Sequence, residues 1–189
     1  MFKAMVVDDH PFIRSSVKML LKQENFEVVA EADNGADALQ LAREYAPDLI
    51  VLDIGMPKLD GLEVIRRITA LNLKCKILVL TSQSANFYAV RCMQAGAAGY
   101  ISKTDDMGEL VKAIKAIMEG YTFFPELATS SVRRSDVEAT DLELIQSLSD
   151  RELMILQQLS NGLSNKEIGE AMLLSSKTVS TYKTRLIDK

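Results

Sequence analysis

Residues 49–64 read LIVLDIGMPKLDGLEV. Four apolar residues, Leu49 to Leu52, run directly into Asp53, and helical periodicity resumes after Asp60 and Gly61. A short apolar run without alternation is the pattern of a strand covered on both faces. A carboxylate at the end of such a strand is costly to desolvate unless something pairs with it. The fold and the role of Asp53 are therefore one question.

Outward from this stretch the same unit repeats. KAMVV (3–7), FEVVAE (26–31), KILVLT (76–81) and the shorter AGYIS (98–102) join DLIVLD (48–53) as strand-like runs. Between them lie helical faces marked by Ile13, Val17, Leu20 and Leu21, by Ala38, Leu39 and Leu41, and by Val64, Ile65, Ile68 and Leu71. A fourth helix, through FYAVRCMQAG, should stop at Gly96, and a closing one, on Leu110, Ile114, Ile117 and Met118, at Gly120. Five such strands alternating with helices predict an α/β fold, a doubly wound five-stranded parallel sheet. In the common flavodoxin-like order, β1 lies between β2 and β3, and ligands bind beyond the carboxyl ends of the strands.

That rule selects the chemistry. The first strand ends in Asp8 and Asp9, the third in Asp53, the fourth in Thr81 and Ser82, and the fifth is followed by Lys103. Each acid alone reads as a helix cap; together they converge and repel unless a cation joins them. A hard divalent ion such as Mg²⁺, bound by oxygen, is the expected answer. Asp53 can also attack a phosphoryl group to form an acyl phosphate, with Thr81 and Lys103 holding the other oxygens. Gly61 reads as a backbone-geometry residue and His10, the only histidine, as a turn residue.

Bulk properties restrict the rest. At 189 residues, with 48% hydrophobic and 25% charged residues, the chain is ordinary globular protein of one large or two small domains. No apolar run approaches the roughly 20 residues that span a membrane, and the N-terminus has no signal-peptide pattern. Cys75 and Cys92 lack metal-ligand spacing and are expected to be reduced core residues, which points to the cytoplasm. The net charge of −4 divides into +1 over residues 144–189 and −5 elsewhere, so the two parts meet different partners.

Beyond the α/β unit at 1–120, residues 121–147 read as a linker and 148–189 as three short helices. The helices start near Asp150, after Ser164 and after Ser175, with both serines as N-caps, and the last two form a small all-α helix-turn-helix domain. On the last helix Val179, Tyr182 and Leu186 should face inward; Lys177, Ser180, Thr181, Thr184 and Arg185 lie opposite. Hydroxyls edged by cations suit the major groove, although the pattern alone equally fits a solvated face.

VVDDHP, VLDIGMPKLDGLEV, LTS and GYISK resemble the receiver domain of bacterial two-component response regulators, and residues 148–186 resemble the LuxR-type DNA-binding domain. The pair is similar to response regulators of the NarL/FixJ class. The resemblance implies that Asp53 is the phosphoacceptor, that Asp8, Asp9, Asp53 and the Gly55 carbonyl hold the metal, and that Thr81 and Lys103 bind phosphoryl oxygens. Tyr100 is then the rotating aromatic. It implies base contacts by Ser180, Thr181 and Thr184 and DNA-backbone contacts by Lys177, Thr178, Tyr182, Lys183 and Arg185.

The expected partners are a sensor histidine kinase or a phosphotransfer domain, promoter DNA and a second copy of the chain; no membrane is involved and the protein is not an enzyme. Two departures stand out. Thr104 follows Lys103 where many members have a proline, and the pattern's final helix would lie beyond Lys189, so the domain is expected to lack it. A rival reading is an interaction module without DNA binding. Another is a metal-dependent phosphohydrolase, which wants a second acid where Gly55 stands.

Overall fold

The computed structural model describes residues 1–56, 60–125 and 143–188. The chain divides into two compact units, Met1–Glu126 and Leu127–Lys189. The first runs β1 (Phe2–Val7), α1 (Pro11–Gln23), β2 (Phe26–Ala32), α2 (Gly35–Tyr45), β3 (Leu49–Leu52), α3 (Gly61–Ala70), β4 (Lys76–Thr81), α4 (Ala85–Ala95), β5 (Gly99–Ser102) and α5 (Met107–Met118). Its sheet has the order β2-β1-β3-β4-β5, all parallel, as the flavodoxin-like expectation had it.

Every residue of β3 is buried, whereas the edge strand β2 is buried only at Phe26 and Ala32. That difference is why the central strands read as unbroken apolar runs. Val17, Leu20 and Leu21 of α1 and Leu110, Ala113, Ile114 and Ile117 of α5 pack with Val6, Val51 and Leu78 in one core. Burying side chains of this kind stabilises by about 1.5–3 kcal/mol each. α4 stops where Gly96 takes φ 113°, a left-handed conformation.

The packed unit continues past residue 120. Phe123 exchanges hydrogen bonds with the β5 edge: its N–H donates to the Ala98 carbonyl at 3.0 Å, and its carbonyl accepts from the Tyr100 N–H at 2.8 Å. Of the segment expected to be a linker, 126–142 lies outside the described residues. Cys92 is buried as expected, but Cys75 is only half-buried and so is not a core residue. Its position just ahead of the start of β4 exposes it, and desolvation with nearby Asp48 still pushes its thiol up to about 12. Among the described residues no helix is long and apolar enough to cross a membrane.

The second unit holds α6 (Asp150–Ser160), α7 (Asn165–Met172) and α8 (Ser176–Ile187). Ser149 and Ser164 each form a capping box with Glu152 and Glu167, and Ser175 caps α8 through the Thr178 N–H. Ile155, Ile168 and Val179 form the core, with Tyr182 and Leu186 packed against it. The turn between α7 and α8 is tight. Leu173 is left-handed at φ 54°, the Leu174 N–H reaches back to the Gly169 carbonyl at 2.8 Å, and a Cβ on Gly169 would lie 2.6 Å from the Leu174 carbonyl oxygen.

Candidate functional site

The first, third and fifth strands end at the same rim because their ladders each run one residue further. The Asp8 N–H donates to the Ala32 carbonyl (3.1 Å), the Asp53 N–H to the Val7 carbonyl (2.8 Å) and the Lys103 N–H to the Thr81 carbonyl (2.9 Å). Peptides fixed this way aim their side chains into one pocket. Donor atoms from Asp8, Asp9, His10 and Asp53 all lie within 4.8 Å of one another. Asp8 and Asp53 are almost fully buried.

Lys103 joins two of the acids. Its Nζ lies 2.6 Å from Asp53 Oδ2 and 2.7 Å from Asp8 Oδ2. The other Asp53 oxygen, Oδ1, accepts the Gly55 N–H at 2.8 Å. It is thus the amide of Gly55 that engages Asp53. Burial alone would lower the Lys103 pKa, but the Asp53 and Asp8 carboxylates outweigh it and raise it. Asp8 Oδ1 accepts the His10 N–H at 2.8 Å, and the Arg14 guanidinium donates to the Asp8 carbonyl at 2.7 Å.

One ammonium against three carboxylates leaves a local excess of two negative charges. Two of the carboxylate oxygens, Asp8 Oδ2 and Asp9 Oδ1, are buried without a well-aligned hydrogen bond, meeting only the Lys103 ammonium at 2.7 Å and His10 Nδ1 at 2.9 Å. Buried carboxylate oxygens with spare acceptor capacity and an excess of negative charge fit a hard divalent cation.

Around this pocket the structure places Thr81, fully buried at the end of β4, with its hydroxyl accepting the Gln83 N–H at 3.4 Å. Tyr100 is buried on β5, and its hydroxyl donates to the Gln83 carbonyl at 2.7 Å. Burial, with Cys92, Tyr88 and Asp53 nearby, pushes the Tyr100 phenol well above its usual pKa. No cis peptide bond occurs among the described residues, Lys103–Thr104 included. Gly61 opens α3 against β3's exit: a Cβ there would overlap the Ile54 Cα and lie 2.6 Å from its Cβ, so only glycine lets Asp53's neighbour sit against the helix.

Three contacts of this pocket escape sequence reasoning. His10 and Arg14 both engage Asp8, yet one is a turn residue and the other is one of three cations on α1. Nothing in periodicity gives a side chain's direction at a turn. Gln83 is the third, two residues after Thr81 in LTSQ, with only that spacing as a signal.

In the second unit Lys177, Ser180, Thr181, Thr184 and Arg185 are exposed on α8 and Val179 is buried, as the helical spacing predicts, and Lys183 is exposed as well. Thr181 and Thr184 donate their hydroxyls to the carbonyls of Lys177 and Ser180 at 3.1 and 3.2 Å. Their lone pairs therefore face solvent as acceptors. Thr178 is half-buried and its hydroxyl pairs with that of Ser175 at 2.8 Å. The Arg185 guanidinium lies 5.6 Å from the centre of the half-buried Tyr182 ring. Ser175, Lys177, Thr178, Thr181, Tyr182 and Arg185 line a shallow concavity of about 310 Å³.

Comparison with known proteins decides the family. Residues 4–115 match the response regulator receiver domain, and 146–189 match the bacterial regulatory proteins of the luxR family. The chain is a LuxR-type two-component response regulator. BvgA of Bordetella pertussis, a virulence-factor transcription regulator, is 51% identical over 187 residues, which span 99% of this chain and 90% of BvgA. A transcriptional regulator of Pseudomonas aeruginosa is 50% identical over 189 residues, 100% of this chain and 91% of that protein.

Among solved structures, a LuxR-family two-component regulator from Aurantimonas sp. SI85-9A1 superposes with a TM-score of 0.62 at 32% identity, covering 78% of this chain and 99% of that one. The receiver domain of NarL from Mycobacterium tuberculosis gives 0.59 at 33% identity, over 63% and 97%. The regulator is accordingly a phosphorylation-dependent DNA-binding transcription factor.

Proposed function

We propose that Asp53 is the residue that takes up the phosphoryl group. An Asp53 oxygen attacks phosphorus of a phosphohistidine on a sensor kinase or phosphotransfer domain. The new O–P bond forms as the P–N bond breaks, and the electron pair leaves with the imidazole. Asp8, Asp9 and Asp53, with the Gly55 carbonyl as a further oxygen, would hold Mg²⁺. Bound there, Mg²⁺ offsets charge on the transferred oxygens.

Every other step belongs to the chain. Lys103 exchanges one carboxylate for a phosphoryl oxygen, the Thr81 hydroxyl turns toward another, and Tyr100 repacks. The change alters docking or pairing of two copies on adjacent half-sites, which raises DNA affinity through effective concentration. Ser180, Thr181 and Thr184 meet base edges, while Lys177, Thr178, Tyr182, Lys183 and Arg185 meet the backbone. The chemistry is stoichiometric uptake of phosphate rather than turnover, and a soluble regulator of this kind acts in the cytoplasm.

The observation that supports this reading most is Lys103 Nζ bridging Asp53 and Asp8 at 2.6 and 2.7 Å. The test is intact mass after incubation with a small phosphodonor and Mg²⁺. One phosphoryl group of added mass is expected on the parent and none on Asp53→Asn; a gain that persists in the variant would place the acceptor elsewhere.

A further inference from the structure

We propose that His10 is a nitrogen ligand of the divalent cation at the acidic pocket, and that it tilts the pocket toward first-row transition ions such as Mn²⁺ over Mg²⁺. The inference rests on the reading of Asp8, Asp9 and Asp53 as a cation site.

The imidazole Nδ1 lies 2.9 Å from Asp9 Oδ1 and 3.2 Å from Asp8 Oδ1. Adjacent ligands of a six-coordinate ion, with bonds of about 2.1 Å at right angles, are about 3.0 Å apart, and opposite ligands about 4.2 Å. The two His10 distances are those of adjacent ligands, and all four donors lie within 4.8 Å of one another. An ion can therefore enter with little displacement of the ring.

The backbone that carries the ring is fixed. His10 is extended at φ −88° and ψ 111° directly before Pro11, and its backbone N–H donates to Asp8 Oδ1 at 2.8 Å. Asp9 Oδ1, the nearer of its two oxygen neighbours, is one of the buried oxygens without a well-aligned hydrogen bond. The side chain is 66% exposed, so it stands at the mouth of the pocket, where an incoming ion passes.

An all-oxygen set of carboxylates, carbonyl and water suits Mg²⁺. One imidazole in the set leaves a hard ion such as Mg²⁺ with a poorer ligand than water, while transition ions gain from it. A histidine contact made only for charge pairing would carry no such preference.

The test uses the full chain and Mn²⁺ itself. Free aqueous Mn²⁺ is followed by electron paramagnetic resonance, Mg²⁺ by competition against it, and the bound ion by electron spin-echo. The parent should show ¹⁴N modulation from a directly bonded imidazole, lost in His10→Gln. The variant should lose about tenfold in Mn²⁺ affinity, at least the loss seen when even a residue supporting a ligand is removed, and less in Mg²⁺ affinity.

Bound Mn²⁺ without nitrogen modulation, or equal losses for the two ions, overturns the role of His10 and leaves the three-carboxylate site standing. A parent chain that binds no Mn²⁺, or binds it undiminished after Asp9→Asn, overturns both.

Discussion

Replacing Lys103 by methionine isolates the electrostatics of the pocket. Methionine keeps much of the aliphatic stem and removes the ammonium that meets Asp53 and Asp8 at 2.6 and 2.7 Å. The side chains of Lys103, Asp8 and Asp53 are 9%, 3% and 4% exposed, so the bare carboxylates gain little from water. Breaking a buried ion pair by removing one partner costs about 3–5 kcal/mol. Here the variant leaves three acids facing one another without a cation, which adds to that cost, while the exposed mouth at His10 admits solvent and reduces it. We expect about 3 kcal/mol of lost stability in the first unit at neutral pH with chelator present. With urea slopes of about 1–3 kcal/mol/M, the midpoint falls by about 1–3 M.

The pH dependence follows from the raised Lys103 pKa. A cation whose folded value exceeds its unfolded value of about 10.4 contributes its full stabilisation below that pH and loses it as pH rises through the folded value. The parent should therefore weaken above about pH 10.4, and the difference from Lys103→Met should shrink there. Urea unfolding of both proteins with chelator, at pH 7 and on the alkaline side, checks this. A variant within about 0.5 kcal/mol of the parent at pH 7, the scatter of ordinary surface changes, would show that the carboxylates do not depend on Lys103.

Two further changes probe other links of the argument. Gly61→Ala forces a methyl into the backbone of Ile54, and overpacking of this kind costs about 1–3 kcal/mol, the upper end being expected because backbone is met; urea unfolding measures it, and the same variant should take up phosphate more slowly. Arg185→Gln should weaken binding to promoter fragments alike and flatten the dependence of log K on log salt by about 0.9, the loss of one phosphate contact; a sequence-selective loss with an unchanged slope would make Arg185 a base reader instead.

The parts of this structure legible in the sequence are those governed by periodicity and capping. Unbroken apolar runs exist because β3 is covered on both sides, and that burial is what forces the acids out to the strand ends. Ser164 and Ser175 could be named as caps because a hydroxyl before an apolar period has few other uses at that position. What stayed hidden depends on direction and on distant neighbours. The engagement of Asp8 by His10 and Arg14 needs the orientation of α1, and the half-burial of Cys75 needs the placement of the start of β4. Phe123 looked like the start of a linker because a single bridge on β5 has no period to detect.

The hydrogen bonds of Gln83 show how a small chemical event can move the pocket's surroundings. Thr81 and Tyr100 are both tethered to that one residue, the first through its N–H at 3.4 Å and the second through its carbonyl at 2.7 Å. The longer bond is at the limit of useful geometry and contributes little, so on the proposed reading it offers little resistance when the Thr81 side chain swings its hydroxyl toward a phosphoryl oxygen on Asp53. On that reading the segment after β4 then loses this tie to Thr81. The Gln83 carbonyl on that segment is the Tyr100 hydroxyl's acceptor, so any shift reaches a ring buried in β5. The arrangement therefore has a weak bond at the input and a strong one at the output, the order needed if added phosphate is to be transmitted rather than absorbed.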